Sequence, residues 1–387
     1  MSTVRKEIGI GLVGYGFIGK VHTMGYLTLP FYYENAPYKV KLSGIASRSE
    51  DNRNRALFQA GYNFASEDYL ELMERNDIDV IDCCTPNKLH KPVALAAMKA
   101  GKHIYCEKPL ARNVEEALEM ARLAKETGVK SKLAFHYRFV PAVMRAKQLI
   151  EEGALGEVFN FRAAYLHSGY IDPNRPMSWR LLKEESGGGA LFDLGSHILD
   201  LMRFLLGDFE EVQANLETFI KERPAAGNPT QKLKVDVDDL VIMQVRMKNN
   251  SLGTIEASRV ATGTNDELRF EIHGNRGAIT FDLMEPNWLK FYDATEPGKP
   301  IGGRRGFKKI ETVQRYPEEP VFPGPKFAIG WIRYHIASQH DLLASLVEDR
   351  ASLGATFEDG LRIQEVMAAA EKSAETGSWI KVERNIL

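Results

Sequence analysis

The first 135 residues alternate between short apolar runs and stretches of helical period. Apolar runs occupy residues 8–13, 40–46, 80–84, 103–106 and 132–135. Between them, residues 52–60, 67–74 and 115–127 carry apolar positions at helical spacing, as does a segment running to Ala100. Val21, Met24 and Leu27 set the same period after the first run. The runs are continuous rather than alternating, as strands of a parallel sheet covered on both faces must be. Strands exchanged with helices in this way predict a doubly wound α/β domain. Residues 29–39, rich in aromatics and proline, read as an insertion between the first helix and the second strand.

The pattern then changes. Residues 141–152 predict a helix leaving the first domain, 158–165 alternate as a strand with one exposed face, and 190–206 form a helical period. Strand-like runs follow at 212–219, 239–247, 251–259, 267–273 and 278–282 with no helices between them, which argues for an antiparallel sheet and an α+β half. Residues 296–325 read as a long loop, and 329–348 and 357–374 as amphipathic helices. The expected division is a Rossmann domain over 1–137 and a substrate-binding and oligomerisation domain over 138–387, its last helix packing back on the first domain. A sheet with one uncovered face implies a homodimer or homotetramer.

Composition narrows the function. The formal net charge of the 387 residues is -2, so no electrostatic footprint for nucleic acid is present. No apolar run has membrane length, and the start of the chain does not read as a signal segment. Cys83, Cys84 and Cys106 lie in apolar runs without a CxxC, which reads as buried, reduced thiols in a cytoplasmic protein.

Candidate chemistry collects at the ends of the runs. Residues 14–19 read Gly-Tyr-Gly-Phe-Ile-Gly, a G-x-G-x-x-G between a strand and a helix. Gly14 would permit a tight turn, Gly16 close approach of a pyrophosphate, and Gly19 helix–strand packing, with Phe17 and Ile18 inside the same turn. The second strand ends at Ser47 and Arg48 rather than at the Asp or Glu that meets the ribose of NAD, and Arg suits a phosphate. The expected cofactor is therefore NADP or NAD, with NADP favoured. Lys108 follows the run 103–106, where open parallel sheets place ligands, and an ammonium there can exchange a proton with a bound hydroxyl. Asp193 and His197 stand four residues apart on one helix, after the glycines 187–189. They supply two ligands where zinc needs at least three protein ligands, so no metal is expected.

The segments GYGFIG, CCTPNKLH and YCEKPLA, and SWR followed by GGGALFDLGSHILDL, together resemble the Gfo/Idh/MocA family, in order and spacing over nearly the whole chain. The insertion and the second half look closest to its levoglucosan dehydrogenase branch. The resemblance implies nicotinamide-dependent hydride transfer at a ring carbinol or ketone of a sugar, anhydrosugar or cyclitol. It implies Lys108 as the proton-transfer residue, Glu107 beside the nicotinamide ribose, His197 near the reacting hydroxyl, and Asp193 holding substrate and lysine. Thr85, Pro86, Asn87 and His90 would line the cofactor on the other side, and Trp179 and Arg180 would reach its nicotinamide end. His136 stands where many relatives carry asparagine and would border the pocket. Tyr165, His167, Tyr170 and Asp172 are expected to approach the substrate. A dinucleotide- or sugar-sensing regulator and an NAD-dependent glycoside hydrolase share the fold and are the rival readings.

Overall fold

The computed structural model describes residues 5–313, 327–328, 330–348, 350 and 352–387. Six parallel strands form the first sheet: β1 (Lys6–Val13), β2 (Tyr38–Ala46), β3 (Ala65–Ser66), β4 (Val80–Cys83), β5 (His103–Cys106) and β6 (Ser131–Leu133). Their order is β6-β5-β4-β1-β2-β3, and a two-residue strand, Ala355–Thr356, adds antiparallel to β6. The order reverses between β1 and β4, so the carboxyl ends of β1, β4 and β5 open onto the crevice where such sheets bind ligands. β4 is buried along its whole length, as a central strand covered on both faces requires. The run 80–84 is not wholly apolar, however. Asp82 lies in it, fully buried, and its partners prove central to the site.

The second sheet contains β7 (Val158–Leu166), β8 (Phe209–Glu217), β11 (Leu240–Met247), β12 (Leu252–Ser258), β13 (Glu267–Gly274), β14 (Gly277–Asp282), β15 (Trp288–Asp293) and β16 (Lys308–Glu311). Between β8 and β11 the chain makes a separate two-stranded ribbon of β9 (Glu222–Ala225) and β10 (Asn228–Lys234). The sheet order is β16-β15-β14-β13-β7-β12-β11-β8, ending on Ile380–Lys381. The sheet is not purely antiparallel: β7 enters its middle and runs parallel to β12. The helical segment after β7 carries the chain across to the edge at β8, and that crossover produces the parallel neighbour. β9, β10, β15 and β16 escaped the sequence reading. β10 is almost wholly exposed and carries no alternation. β16 lies inside the expected loop, whose residues 314–325, like Ile329, fall outside the described residues.

Two helices depart from their expected form. The helix over 190–206 opens with a π-helical turn, Leu191–Gly195, before the α-helix Ser196–Leu206. The helix Phe17–Tyr32 runs through Pro30, so the insertion begins as helix. The helix Phe357–Thr376, started by a capping box of Thr356 and Asp359, packs on both β8 and the helix Val114–Thr127, so it touches both sheets. The helix Ile332–Ser345 packs on Phe17–Tyr32. Among the described residues no helix is long and apolar enough to cross a membrane, and all three cysteines are free and buried.

Candidate active site

The glycine turn follows β1. Gly14 has φ +95°, and a Cβ there would stand 2.6 Å from the carbonyl oxygen of Cys84. A Cβ on Gly19 would meet the Gly14 carbonyl at 2.1 Å, whereas one on Gly16 would meet nothing within 4 Å. Gly14 and Gly19 are therefore fixed by protein, and Gly16 faces open space, where a pyrophosphate can come against the main chain. The helix begins at Phe17 with no side-chain cap, so its first N–H groups remain available to an anion. Phe17 is 76 % exposed and lies over Trp331, ring centroids 6.2 Å apart; Ile18 is half-buried behind it. At the end of β2, Arg53 Nη1 donates to the carbonyls of Ser47 (2.7 Å) and Arg48 (3.1 Å), which fixes the backbone there, and Arg48 is exposed.

The segment after β4 joins the domains. Asn87 Nδ2 donates to the carbonyl of Ser186 (2.7 Å), just before the glycines. His90 is fully buried, and both ring nitrogens lie against main-chain carbonyls, Nδ1 at 2.9 Å from Pro109 and Nε2 at 3.1 Å from Thr85. Neither nitrogen is free for a ligand. His90 braces the Thr85–Pro86 turn against the Lys108–Pro109 turn.

Lys108 Nζ reaches across to the second domain and donates to Asp193 twice, to its carbonyl oxygen at 2.8 Å and to Oδ1 at 3.0 Å. Arg259, fully buried at the end of β12, donates to Asp193 Oδ2 at 3.1 Å. Burial alone would raise the Asp193 carboxyl, but the charges of Lys108, Arg259 and Arg180 override it and hold the group well below the usual carboxylate range. Asp193 lies in the π-helical turn, a feature that tends to mark functional sites. The close glycines make that turn possible: a Cβ on Gly189 would be 1.8 Å from the Asp238 carbonyl, and the Asp238 carboxylate accepts from the N–H groups of Gly189 (2.7 Å) and Leu191 (2.8 Å). The glycines thus admit another stretch of backbone.

Asp193 and His197 do not pair. His197 Nδ1 is buried without a hydrogen-bond partner among the described residues. Its ring lies edge-on to Phe135, His136, Tyr137 and Tyr165, with centroids 4.9–5.8 Å away. Its helix is anchored by Asp200, which accepts from Arg138 Nε at 2.8 Å and Nη2 at 2.5 Å, two residues beyond His136. His136 stacks on His335 at 3.7 Å. Burial pushes His136, His197 and His335 well below the usual imidazole range, and the neighbouring cationic groups add to it.

Behind this wall lies a charged group absent from the sequence reading. His22 Nδ1 is 2.9 Å from Asp82, whose carboxylate also accepts from Tyr26 (2.8 Å). His22 Nε2 stands 3.2 Å from Glu107 Oε1, although the two are not aligned as a hydrogen bond. Burial would lower His22, yet Asp82 and Glu107 together raise it to about 10. The same contact holds Glu107 below its ordinary range against the effect of burial. Glu107 is thereby kept as a carboxylate at the end of β5, next to Lys108.

The outer wall is set by Tyr165, which bonds Tyr137 hydroxyl to hydroxyl at 2.7 Å and Asp266 Oδ1 at 2.7 Å. His167 Nε2 approaches the same oxygen at 3.2 Å. The carbonyls of Tyr170 and Asp172 accept from Arg223, and the Tyr170 ring packs against Arg259, the partner of Asp193, at 5.0 Å. Trp179 and Arg180 stack on each other at 4.3 Å in a single 3-10 turn. Arg259, His22, Asp82, Tyr137, Asp266, Trp331 and His335 were not anticipated. A carboxylate inside a buried strand was the available signal, because it must find partners.

A doubly wound sheet with an open glycine turn, and a lysine at its carboxyl edge held by a carboxylate from a second domain, defines a dinucleotide-dependent oxidoreductase. Two family models agree: one described as "Oxidoreductase family, NAD-binding Rossmann fold" matches residues 8–135, and one described as "GFO/IDH/MocA C-terminal domain" matches residues 143–280. The chain belongs to the Gfo/Idh/MocA family. Levoglucosan dehydrogenase from Pseudarthrobacter phenanthrenivorans is 37% identical over 389 residues, covering 97% of this chain and 98% of that protein. 1,5-anhydro-D-fructose reductase from Ensifer adhaerens is 29% identical, covering 82% and 83% of the two chains. The solved structure of levoglucosan dehydrogenase in complex with NADH and L-sorbose superposes with a TM-score of 0.92 at 37% identity, over 98% of this chain and all of that one.

Proposed function

We propose that the protein is an NAD(P)-dependent dehydrogenase acting on a ring carbinol of a sugar, anhydrosugar or cyclitol. The observation that supports this most is the pairing of Lys108 Nζ with Asp193, which sets a primary amine from the first domain against the second at the carboxyl edge of the sheet. The likeness to levoglucosan dehydrogenase and to 1,5-anhydro-D-fructose reductase points to the same substrate class. Residues 1–137 serve the dinucleotide and 138–387 the sugar.

The dinucleotide would lie along Gly14, Gly16, Phe17, Ile18 and Gly19, past Thr85, Pro86 and Asn87, and end near Glu107, His136, Trp179 and Arg180. When bound it supplies the hydride acceptor in oxidation. The remaining work belongs to the chain. Asp193 and Arg259 fix Lys108 so that, in the neutral form that oxidation requires, its amine keeps its two N–H groups on Asp193 and takes the substrate hydroxyl proton on its lone pair as the C–H bond breaks. His197, which burial keeps neutral, would orient that hydroxyl. The buried wall of His136, Phe135 and Tyr137 keeps water from the reacting carbon.

The test is a panel of glucose, inositols, anhydrosugars and keto-sugars with each cofactor, followed at the reduced-nicotinamide absorbance. Turnover with at least one neutral ring is expected, and none with any would overturn the reading. Cleavage of an aryl glycoside to the free phenol without net cofactor reduction would instead establish the hydrolase.

Arg48 at the end of β2 favours NADP, whereas Glu50 and Asp51 in the next helical turn offer carboxylates to a ribose. Arg48→Ala is expected to weaken NADP much more than NAD, and equal losses would remove Arg48 from cofactor choice. The exposed face of the second sheet carries Phe159, Ile242, Leu252 and Trp288, and we assign it to a homodimer or homotetramer contact, which light scattering on the purified protein tests.

A further inference from the structure

Asp266, in the turn before β13, carries no role in the chemistry described so far. Its two oxygens are unequal. Oδ1 receives the Tyr165 hydroxyl at 2.7 Å, lies 3.2 Å from His167 Nε2, and has the Tyr137 hydroxyl at 3.4 Å. Oδ2 has one protein contact among the described bonds, the same Tyr137 hydroxyl at a long 3.5 Å. The side chain is 34% exposed, and Oδ2 keeps acceptor capacity that its one long contact does not fill. Tyr137 and Tyr165 join this carboxylate to the reacting centre, since both rings lie edge-on to His197. Trp331 Nε1 donates to the Tyr137 hydroxyl at 3.2 Å and closes the same corner.

We propose that Asp266 is a specificity-determining residue that accepts a hydrogen bond from a substrate hydroxyl remote from the oxidised carbon, and so restricts the enzyme to neutral polyol rings. The inference rests on the dehydrogenase reading of the site. Two observations support the restriction. A carboxylate accepts and cannot donate, so it matches hydroxyls and rejects phosphate or carboxylate substituents. The cations of the site are also already engaged: Lys108 and Arg259 share Asp193, and Arg180 lies over Trp179 and adds its charge at the same carboxylate. Lys108, Arg259 and Arg180 thus act on Asp193, and His22 on Asp82 and Glu107, whereas Asp266 has no lysine or arginine partner among the described residues. An anionic sugar would find no unmatched cation and would meet Asp266.

Two measurements test this. On the wild type, kcat/KM for the best neutral ring in the panel is compared with that of its phosphate ester and its sugar acid. The neutral ring is expected to lead by 100-fold or more, and parity or preference for either anion overturns the proposal. Asp266→Asn is then expected to raise KM for the neutral ring about tenfold while kcat stays within about threefold, and to narrow the discrimination against the phosphate ester. Asp266→Glu should recover part of KM. An unchanged KM, or equal collapse of kcat with both variants, overturns the assignment. If Asp266→Asn fails to fold, the wild-type comparison decides alone. A wild type that oxidises no ring at all would refute the dehydrogenase reading instead, a different result from turnover that ignores Asp266.

Discussion

Two walls of the same cleft are built on opposite principles. On one side every charge is matched: Lys108 and Arg259 meet on Asp193, whose carboxylate uses both oxygens. On the other, His136, His197 and His335 are buried and neutral, and each has at least one ring nitrogen without a partner among the described residues. The matched wall can hold a reactive amine in place because removing any one charge strands another. The neutral wall excludes water and keeps imidazoles uncharged beside a cation, which suits groups that orient a hydroxyl without competing for its proton. A site that moves a hydride and a proton needs both: a fixed proton acceptor, and around it a dry surface.

The largest test breaks the matched wall. Lys108→Ala is expected to lower turnover by about 10²–10⁴, the usual range for loss of a positioned acid–base group, while titration of reduced nicotinamide shows cofactor still bound. Unchanged turnover would take Lys108 out of proton transfer. Asp193→Asn should cost about 10–100-fold, and the double variant should be little worse than Lys108→Ala, because residues acting as a unit are not additive. Multiplied losses would mean that Asp193 does something other than hold the amine.

The two walls were unequally legible in the sequence. Gly14, Gly16 and Gly19 could be read because their geometry is local: the turn forces the spacing whatever the rest of the chain does. Lys108 and Asp193 stood out because each follows a local signal, a strand end and a glycine run. Their meeting is a tertiary fact, and so is the arrival of Arg259, which an alternating strand disguises as one more exposed cation. Asp193 and His197 stand on either side of the junction between a π-helical turn and the α-helix, and they share that helix without a hydrogen bond between them. Of the neutral wall, His136 and His197 were reached through the family resemblance, but His335, on the late helix Ile332–Ser345, was not, and neither was the charged His22 behind the wall. Reading residues 80–84 as uniformly apolar passed over Asp82, the one position whose burial demanded a partner. The parallel neighbour of β7 was also beyond reach, since strand order within a sheet leaves no mark on the period of a single strand.

The smallest test sharpens the neutral wall, and it is read in stability rather than turnover. Unfolded histidine takes up its proton near pH 6.5. His136, His197 and His335 lie well below that value when folded, chiefly through burial. Below about pH 6.5 the unfolded chain therefore binds protons that the folded chain refuses, and stability falls as pH falls. His22 works in the other direction. Held near 10 against the effect of burial by Asp82 and Glu107, it contributes fully below about pH 6.5 and loses that contribution as pH rises through about 10. From these groups the thermal midpoint is accordingly expected to peak at about pH 6.5 and to decline on either side. His90, His103 and His340 are also lowered, so the wild-type curve alone does not isolate the wall. His335→Phe does. It keeps a flat ring against His136 and removes two buried nitrogens that lack partners. Each such group costs roughly 1–3 kcal/mol when left unbonded, so the variant should melt no lower than wild type at pH 7.5 and lose less as pH falls to 5.5. A variant that melts lower at pH 7.5 and keeps the wild-type acid limb would show that the His335 nitrogens are bonded after all, and the contrast between a matched wall and an unpartnered one would fail at that residue.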